Sequence, residues 1–162
     1  MNKSLFAALL LAGTLGLTAC GNDTQTTENE PEAAQSGIPG LTVSNARMVL
    51  NAVPGNPAAV YFDLAYDGDD SFALDRGAVE GAKKAMFHDY GEYDFKVQMM
   101  DMLPVPIKKG DKIEFKPGGK HLMVMDPPKD LKPGDKVNVT ITVSGGANQT
   151  FPAEVKAAGS EE

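Results

Sequence analysis

From residue 41 onward the apolar residues recur at alternate positions in short runs, and no stretch keeps the three-and-four spacing of a helix over three turns. Lys120-His-Leu-Met-Val-Met-Asp126 is the plainest case. Successive side chains of a strand point to opposite faces, so His121, Met123 and Met125 share one face while Leu122 and Val124 share the other. One face is aliphatic; the other carries nitrogen and sulfur. Comparable runs predict strands at 41–53, 58–66, 72–74, 83–89, 94–100, 112–116, 121–125, 136–143 and 151–156. Between them lie Pro-Gly-Asn-Pro (54–57), Asp-Gly-Asp-Asp (67–70), Lys-Lys-Gly-Asp (108–111), Lys-Pro-Gly-Gly (116–119) and Lys-Pro-Gly-Asp (132–135), all of them turn chemistry. Many short strands with this punctuation predict an all-β domain, an antiparallel β-sandwich.

The first residues follow another pattern. Met1-Asn2-Lys3 is followed by an apolar run from Leu5 to Gly13, and small residues lead to Leu17-Thr-Ala-Cys20. A basic start, a short apolar stretch and a small-residue end describe a secretory signal peptide, not a membrane-spanning helix. Leu-Thr-Ala-Cys resembles the bacterial lipobox, in which cleavage before the cysteine leaves a thiol that carries a diacylglycerol. That resemblance implies a signal peptide at 1–19 and a lipidated Cys20, with two or more acyl chains for stable anchoring. Gly21 in place of Asp favours, by the same resemblance, sorting to the outer membrane. The expected location is the cell envelope, lipid-anchored on the outer membrane or facing the periplasm.

Residues 20–37 are rich in Thr, Glu and Gln and hold no aliphatic side chain larger than alanine after Cys20, so they read as a disordered tether. Its r.m.s. span is about 20–25 Å. One folded domain at 38–157 and an acidic tail at 158–162 complete the expected organisation. Removing the first 20 residues leaves 14 basic against 22 acidic side chains, a formal charge of −8. That balance argues against nucleic acid as a partner. Cys20 is the only cysteine in the chain, which excludes an intramolecular disulfide, a CxxC redox pair and a thiolate-ligated metal site in the domain.

The chain holds two histidines, His88 and His121, both placed by the strand pattern at strand–loop boundaries. Met99 and Met123 add thioethers. Neutral imidazole and thioether together are a soft ligand set, which selects Cu(I) over hard divalent ions. Thioethers also suit an oxidising compartment, where a dithiolate would close into a disulfide. Of the remaining methionines, Met48, Met86, Met100 and Met102 are expected as core filler. Met125 lies on the ligand face through alternation alone, which leaves its contact with metal open. Tyr90, Tyr93 and Phe95 are expected either to shield the metal or to pack the core.

The four residues stand at the spacing H-x10-M-x21-H-x-M. This motif, with Ala58-Ala-Val-Tyr-Phe62, Lys116-Pro-Gly-Gly119 and Leu131-Lys-Pro-Gly-Asp135, resembles the periplasmic copper chaperones of the PCuAC family over about residues 40–157. The resemblance implies a cupredoxin-like sandwich, related to the Ig-like folds, holding one Cu(I) by His88, Met99, His121 and Met123. It also implies delivery to an acceptor such as the copper subunit of cytochrome c oxidase or its assembly factor, by a protein that is monomeric and not an enzyme. Asp89 and Val97 stand where family members often carry further methionines, and no His/Met-rich extension follows Ala157.

Two other readings belong to different classes. The His/Met face could be an adhesive patch of a lipoprotein interaction module without metal, or the copper could be stored for tolerance instead of delivered. Catalysis is the weakest reading: a blue-copper centre needs a thiolate in the site, and a serine hydrolase elbow G-x-S-x-G is absent.

Overall fold

The computed structural model describes residues 37–160; the expected signal peptide, Cys20 and the expected tether up to residue 36 lie outside the described residues. The described chain forms ten strands and no helix: β1 (Leu41–Val49), β2 (Ala58–Tyr66), β3 (Phe72–Val79), β4 (Lys84–Tyr93), β5 (Lys96–Asp101), β6 (Val105–Ile107), β7 (Lys112–Phe115), β8 (His121–Met125), β9 (Lys136–Val143) and β10 (Asn148–Lys156). They hydrogen-bond in the order β5-β4-β8-β2-β1-β10-β9-β3-β6, with β7 also on β2. Every pairing is antiparallel except β1 with β10, which is parallel through Arg47 to Val49. That parallel pairing is the one departure from the expected antiparallel arrangement.

The ladder folds over on itself as a sandwich. Phe62 of β2 meets Phe151 of β10 at 5.3 Å between ring centroids and stacks on Phe115 of β7 at 4.3 Å. Val60, Phe62, Leu64, Leu122, Val124, Val139, Ile141 and Val155 are all fully buried between the layers. Burying each such side chain contributes about 1.5–3 kcal/mol. Gly77 of β3 lies under Leu122 of β8, and a Cβ there would come 2.5 Å from the leucine Cδ1, so only glycine permits the layers to approach at this point.

Where the strands differ from the sequence pattern, a local cause is visible. β1 stops at Val49 because the Asn51 side-chain oxygen accepts the Val53 N–H at 2.9 Å, an Asx turn that takes the backbone out of the ladder. β3 continues past Leu74 to Val79 despite the polar Asp75-Arg76, with a register shift against β9 between Leu74 and Arg76. β6, unforeseen because Pro104 precedes it and Pro106 is its central residue, is an edge strand, where proline is tolerated.

The largest difference bears on the site. The pattern ends a strand at Asp89 and starts another at Asp94, yet β4 continues to Tyr93 and the chain reverses through Asp94 and Phe95, at φ 51° and 59°. Two consecutive positive φ values make the tight hairpin turn usually written Asn-Gly. Phe95 hides that signal from a sequence reading, because a bulky residue rarely takes the left-handed region. His88 is therefore inside a strand instead of at its end, while His121 does begin β8.

Candidate metal centre

The geometry of the site follows from two registers. β4 pairs with β8 so that His88 faces His121 and Met86 faces Met123. β5 pairs with β4 so that Met99 faces Tyr90 and Asp101 faces His88. Directly opposed residues of antiparallel strands point to the same face. His88, His121, Met123 and Met99 therefore stand on one face of the β5-β4-β8 sheet, with Phe87, Leu122 and Val124 on the core side. Alternation along each strand sets the face, and pairing brings the faces together.

The imidazoles are the best-buried polar groups there, His88 at 6% and His121 at 4% relative exposure. Their ring centroids are 5.9 Å apart at 71°. Nδ1 of His121 lies 2.9 Å from the Gly119 carbonyl oxygen. A carbonyl only accepts, so Nδ1 carries the hydrogen and the neutral ring keeps its lone pair on Nε2. The Lys-Pro-Gly-Gly turn before β8 thus sets the tautomer of the histidine that follows it.

His88 differs. Nε2 lies 2.9 Å from Asp101 Oδ1 as an ion-pair contact, and Nδ1 has no hydrogen-bond partner. Burial lowers the His88 pKa from its ordinary 6.5; the Asp101 carboxylate opposes this, and the His121 ring adds to the lowering. The ring is thereby held neutral, the form that donates to a metal. An unpaired buried polar group costs about 1–3 kcal/mol and calls for an explanation. A soft cation between the two rings and the thioethers would satisfy it. Among the described residues no three His, Cys, Asp or Glu side chains gather as a metal site.

Beside three of these donors the sheet forms a small hollow of about 140 Å³, lined by Met99, Met123, His121, Tyr90, Tyr61 and Gly118 among others; His88 does not line it. Tyr90 and Tyr61 stand 5.9 and 6.3 Å from the His121 ring, centroid to centroid. Met99 is 42% exposed on β5, all six residues of which are exposed. One sulfur thus sits on an open edge while both imidazoles lie beneath. Burial pushes the Asp89 carboxyl up, but the Lys120 ammonium at 2.7 Å and the Tyr90 N–H at 2.8 Å outweigh it and hold it below its ordinary value. This pair ties β4 to the residue just before His121.

Other expectations divide. Met48 is fully buried and Met102 packs against the core, but Met100 is 45% exposed and lies where a Cβ on Gly91 would meet it. Met86 is not core filler; it points to the His/Met face. Tyr93 and Phe95 are exposed at the hairpin, so of the three aromatics only Tyr90 reaches the site. Asp101 and Tyr61 went unrecognised. Asp101 could have been found two residues after Met99 by alternation, whereas Tyr61 joins the site only through the pairing of β2 with β8.

A family model described as putative lipoprotein LpqE-like matches residues 41–155. No curated protein matches the chain. Among solved structures, the copper-bound PCuAC domain from PmoF2 is 15% identical with a TM-score of 0.60, covering 76% of this chain and 97% of that one. The apo PCuAC domain from PmoF1 is 21% identical with a TM-score of 0.61, covering 76% and 98%. The Cu(I) form of DR1885 from Deinococcus radiodurans is 23% identical with a TM-score of 0.55, covering 74% and 80%. The shared feature is the cupredoxin-like β fold.

Proposed function

Because the chain belongs to the LpqE-like family of putative lipoproteins and has the fold of PCuAC domains, we propose that it is a copper chaperone that binds one Cu(I) and hands it to an extracytoplasmic acceptor. The observation that carries this is the buried pair His88 and His121, ring centroids 5.9 Å apart, with the Met99 and Met123 thioethers on the same face. Cu(I) is the cargo. It is d10 and imposes little geometry, so a near-tetrahedral N2S2 set from strands of a rigid sheet suits it. Met99 on the exposed edge strand is the ligand an acceptor reaches first, and stepwise exchange from that side releases the ion without unfolding the domain. The copper-bound form of one structural neighbour supports the reading.

X-ray absorption of the Cu(I) protein is expected to show nitrogen and sulfur neighbours together; a shell of nitrogen and oxygen alone overturns the assignment. Met123→Leu is expected to keep the fold, since shape and apolarity are similar, and to weaken Cu(I) retention against a competing chelator. Equal weakening by Met102→Leu would mean that the wrong sulfur has been chosen.

The envelope side of the proposal rests on Cys20 as the acylated residue of a tethered lipoprotein. Cys20→Ser is expected to release a protein from the membrane that still binds copper, and retention of that variant in the membrane fraction counts against the anchor. By the resemblance to PCuAC proteins, the acceptor is the copper subunit of cytochrome c oxidase or its assembly factor. Undiminished copper in the oxidase of cells lacking the chain would argue for tolerance instead.

A further inference from the structure

We propose that Met86, Met123 and Met125 form a second, thioether-only site for a soft monovalent cation, beside the imidazole site and sharing Met123 with it. The register of β4 on β8 that places Met86 opposite Met123 also places Lys84 opposite Met125, so the three methionines line the same face as the histidines. Opposed Cβ atoms across a strand pair are about 4.5–5.5 Å apart and diagonal ones about 7–8 Å, within reach of flexible methionine side chains. None of the three belongs to the hydrophobic core or to the partly buried residues packed against it, and all are half-buried. Packing therefore does not account for three thioethers side by side on an outer sheet face.

The chemistry selects the ligand class. Thioethers are neutral and soft, so they hold Cu(I) or Ag(I) and pass over calcium, magnesium and zinc. The charged neighbours are exposed: Lys84 on the same face, and Lys83, which pairs with Asp126 at 3.5 Å. Their ammonium groups reach into water, whose high dielectric weakens their repulsion of an ion held among sulfurs. With Met123 in common, the second site is the weaker one. It extends the donor row from Met99 on the edge strand, past the imidazoles, to Met125 at the end of β8. Copper arriving at one end thus has soft ligands along the whole face.

The proposal rests on the carrier reading only through Met123, and the test separates the two. The full chain carrying Cys20→Ser, so that no thiol competes, is labelled with ¹³C at the methionine methyl groups and titrated with Ag(I), which does not change oxidation state. The first equivalent is expected to shift Met99, Met123 and the histidine ring signals, and the second to shift Met86 and Met125. Combining Met86→Leu with Met125→Leu is expected to lower the capacity from two equivalents to one, with the first set of shifts unchanged. A capacity of one in the unsubstituted protein, or a second equivalent that moves Met100 and Met102 instead, overturns the second site. If the first equivalent leaves both histidine rings unmoved, the carrier reading fails, and the response of Met86 and Met125 still decides this proposal by itself.

Discussion

His88→Leu is expected to raise the thermal midpoint of the metal-free protein and to abolish tight Cu(I) binding. His88 is buried, its ring is kept neutral, and its Nδ1 has no hydrogen-bond partner. Leucine has a similar volume and no polar atom, so the substitution removes a desolvation cost of about 1–3 kcal/mol without opening a cavity. For a domain of this size that is a rise of roughly 3–10 °C. Asp101, whose side chain is 81% exposed, stays solvated when the imidazole is gone. His121→Leu is the control, because its Nδ1–H already donates to the Gly119 carbonyl. Removing a hydrogen bond that is made gains little or destabilises. Calorimetry of the two apo variants separates the cases: a lower midpoint for His88→Leu would mean that the imidazole is satisfied in solution. A residue that weakens the empty fold and strengthens the loaded one is what a functional site is expected to hold.

How much of this was legible in the sequence depends on which kind of signal each part used. Alternation placed β2, β8 and β9 at their true limits, since Ala58–Tyr66, His121–Met125 and Lys136–Val143 each bury every second side chain or more and are bounded by turn residues. Alternation also put His121, Met123 and Met125 on one face. It could not say which strand lies beside which, and so could not reveal that Met86 faces Met123 or that Asp101 faces His88. The β4–β5 hairpin was misplaced because its turn is Asp94-Phe95, in which Phe95, a residue without turn propensity, is held in the left-handed region. Edge strand β6 and the polar half of β3 take their place from pairing partners and carry little apolar pattern of their own. The spacing of the four donors was visible throughout; that they converge is a property of register.

The affinity for Cu(I) is expected to fall as the pH is lowered, with the His88 share of that fall setting in below the ordinary imidazole value of about 6.5. Only a neutral ring donates a lone pair, so protons and copper compete for the same nitrogens, and the acid limit is two protons taken up per copper released. Burial lowers the His88 pKa in the folded chain. Between that lowered value and 6.5 the unfolded chain binds a proton that the folded chain refuses, so stability is lost as the pH drops through this window and levels off beneath it. For copper the same shift acts protectively, because His88 remains a competent donor after a solvent-exposed imidazole would have been protonated. The titration must therefore extend well below pH 6.5, from pH 7 to about 4, to register His88. The double variant His88→Met, His121→Met should hold Cu(I) with almost no pH dependence over that range, since thioethers have no proton to exchange. Wild-type affinity that stays flat down to about pH 4 would exclude both imidazoles as ligands. The unpaired Nδ1 of His88 would then need another explanation.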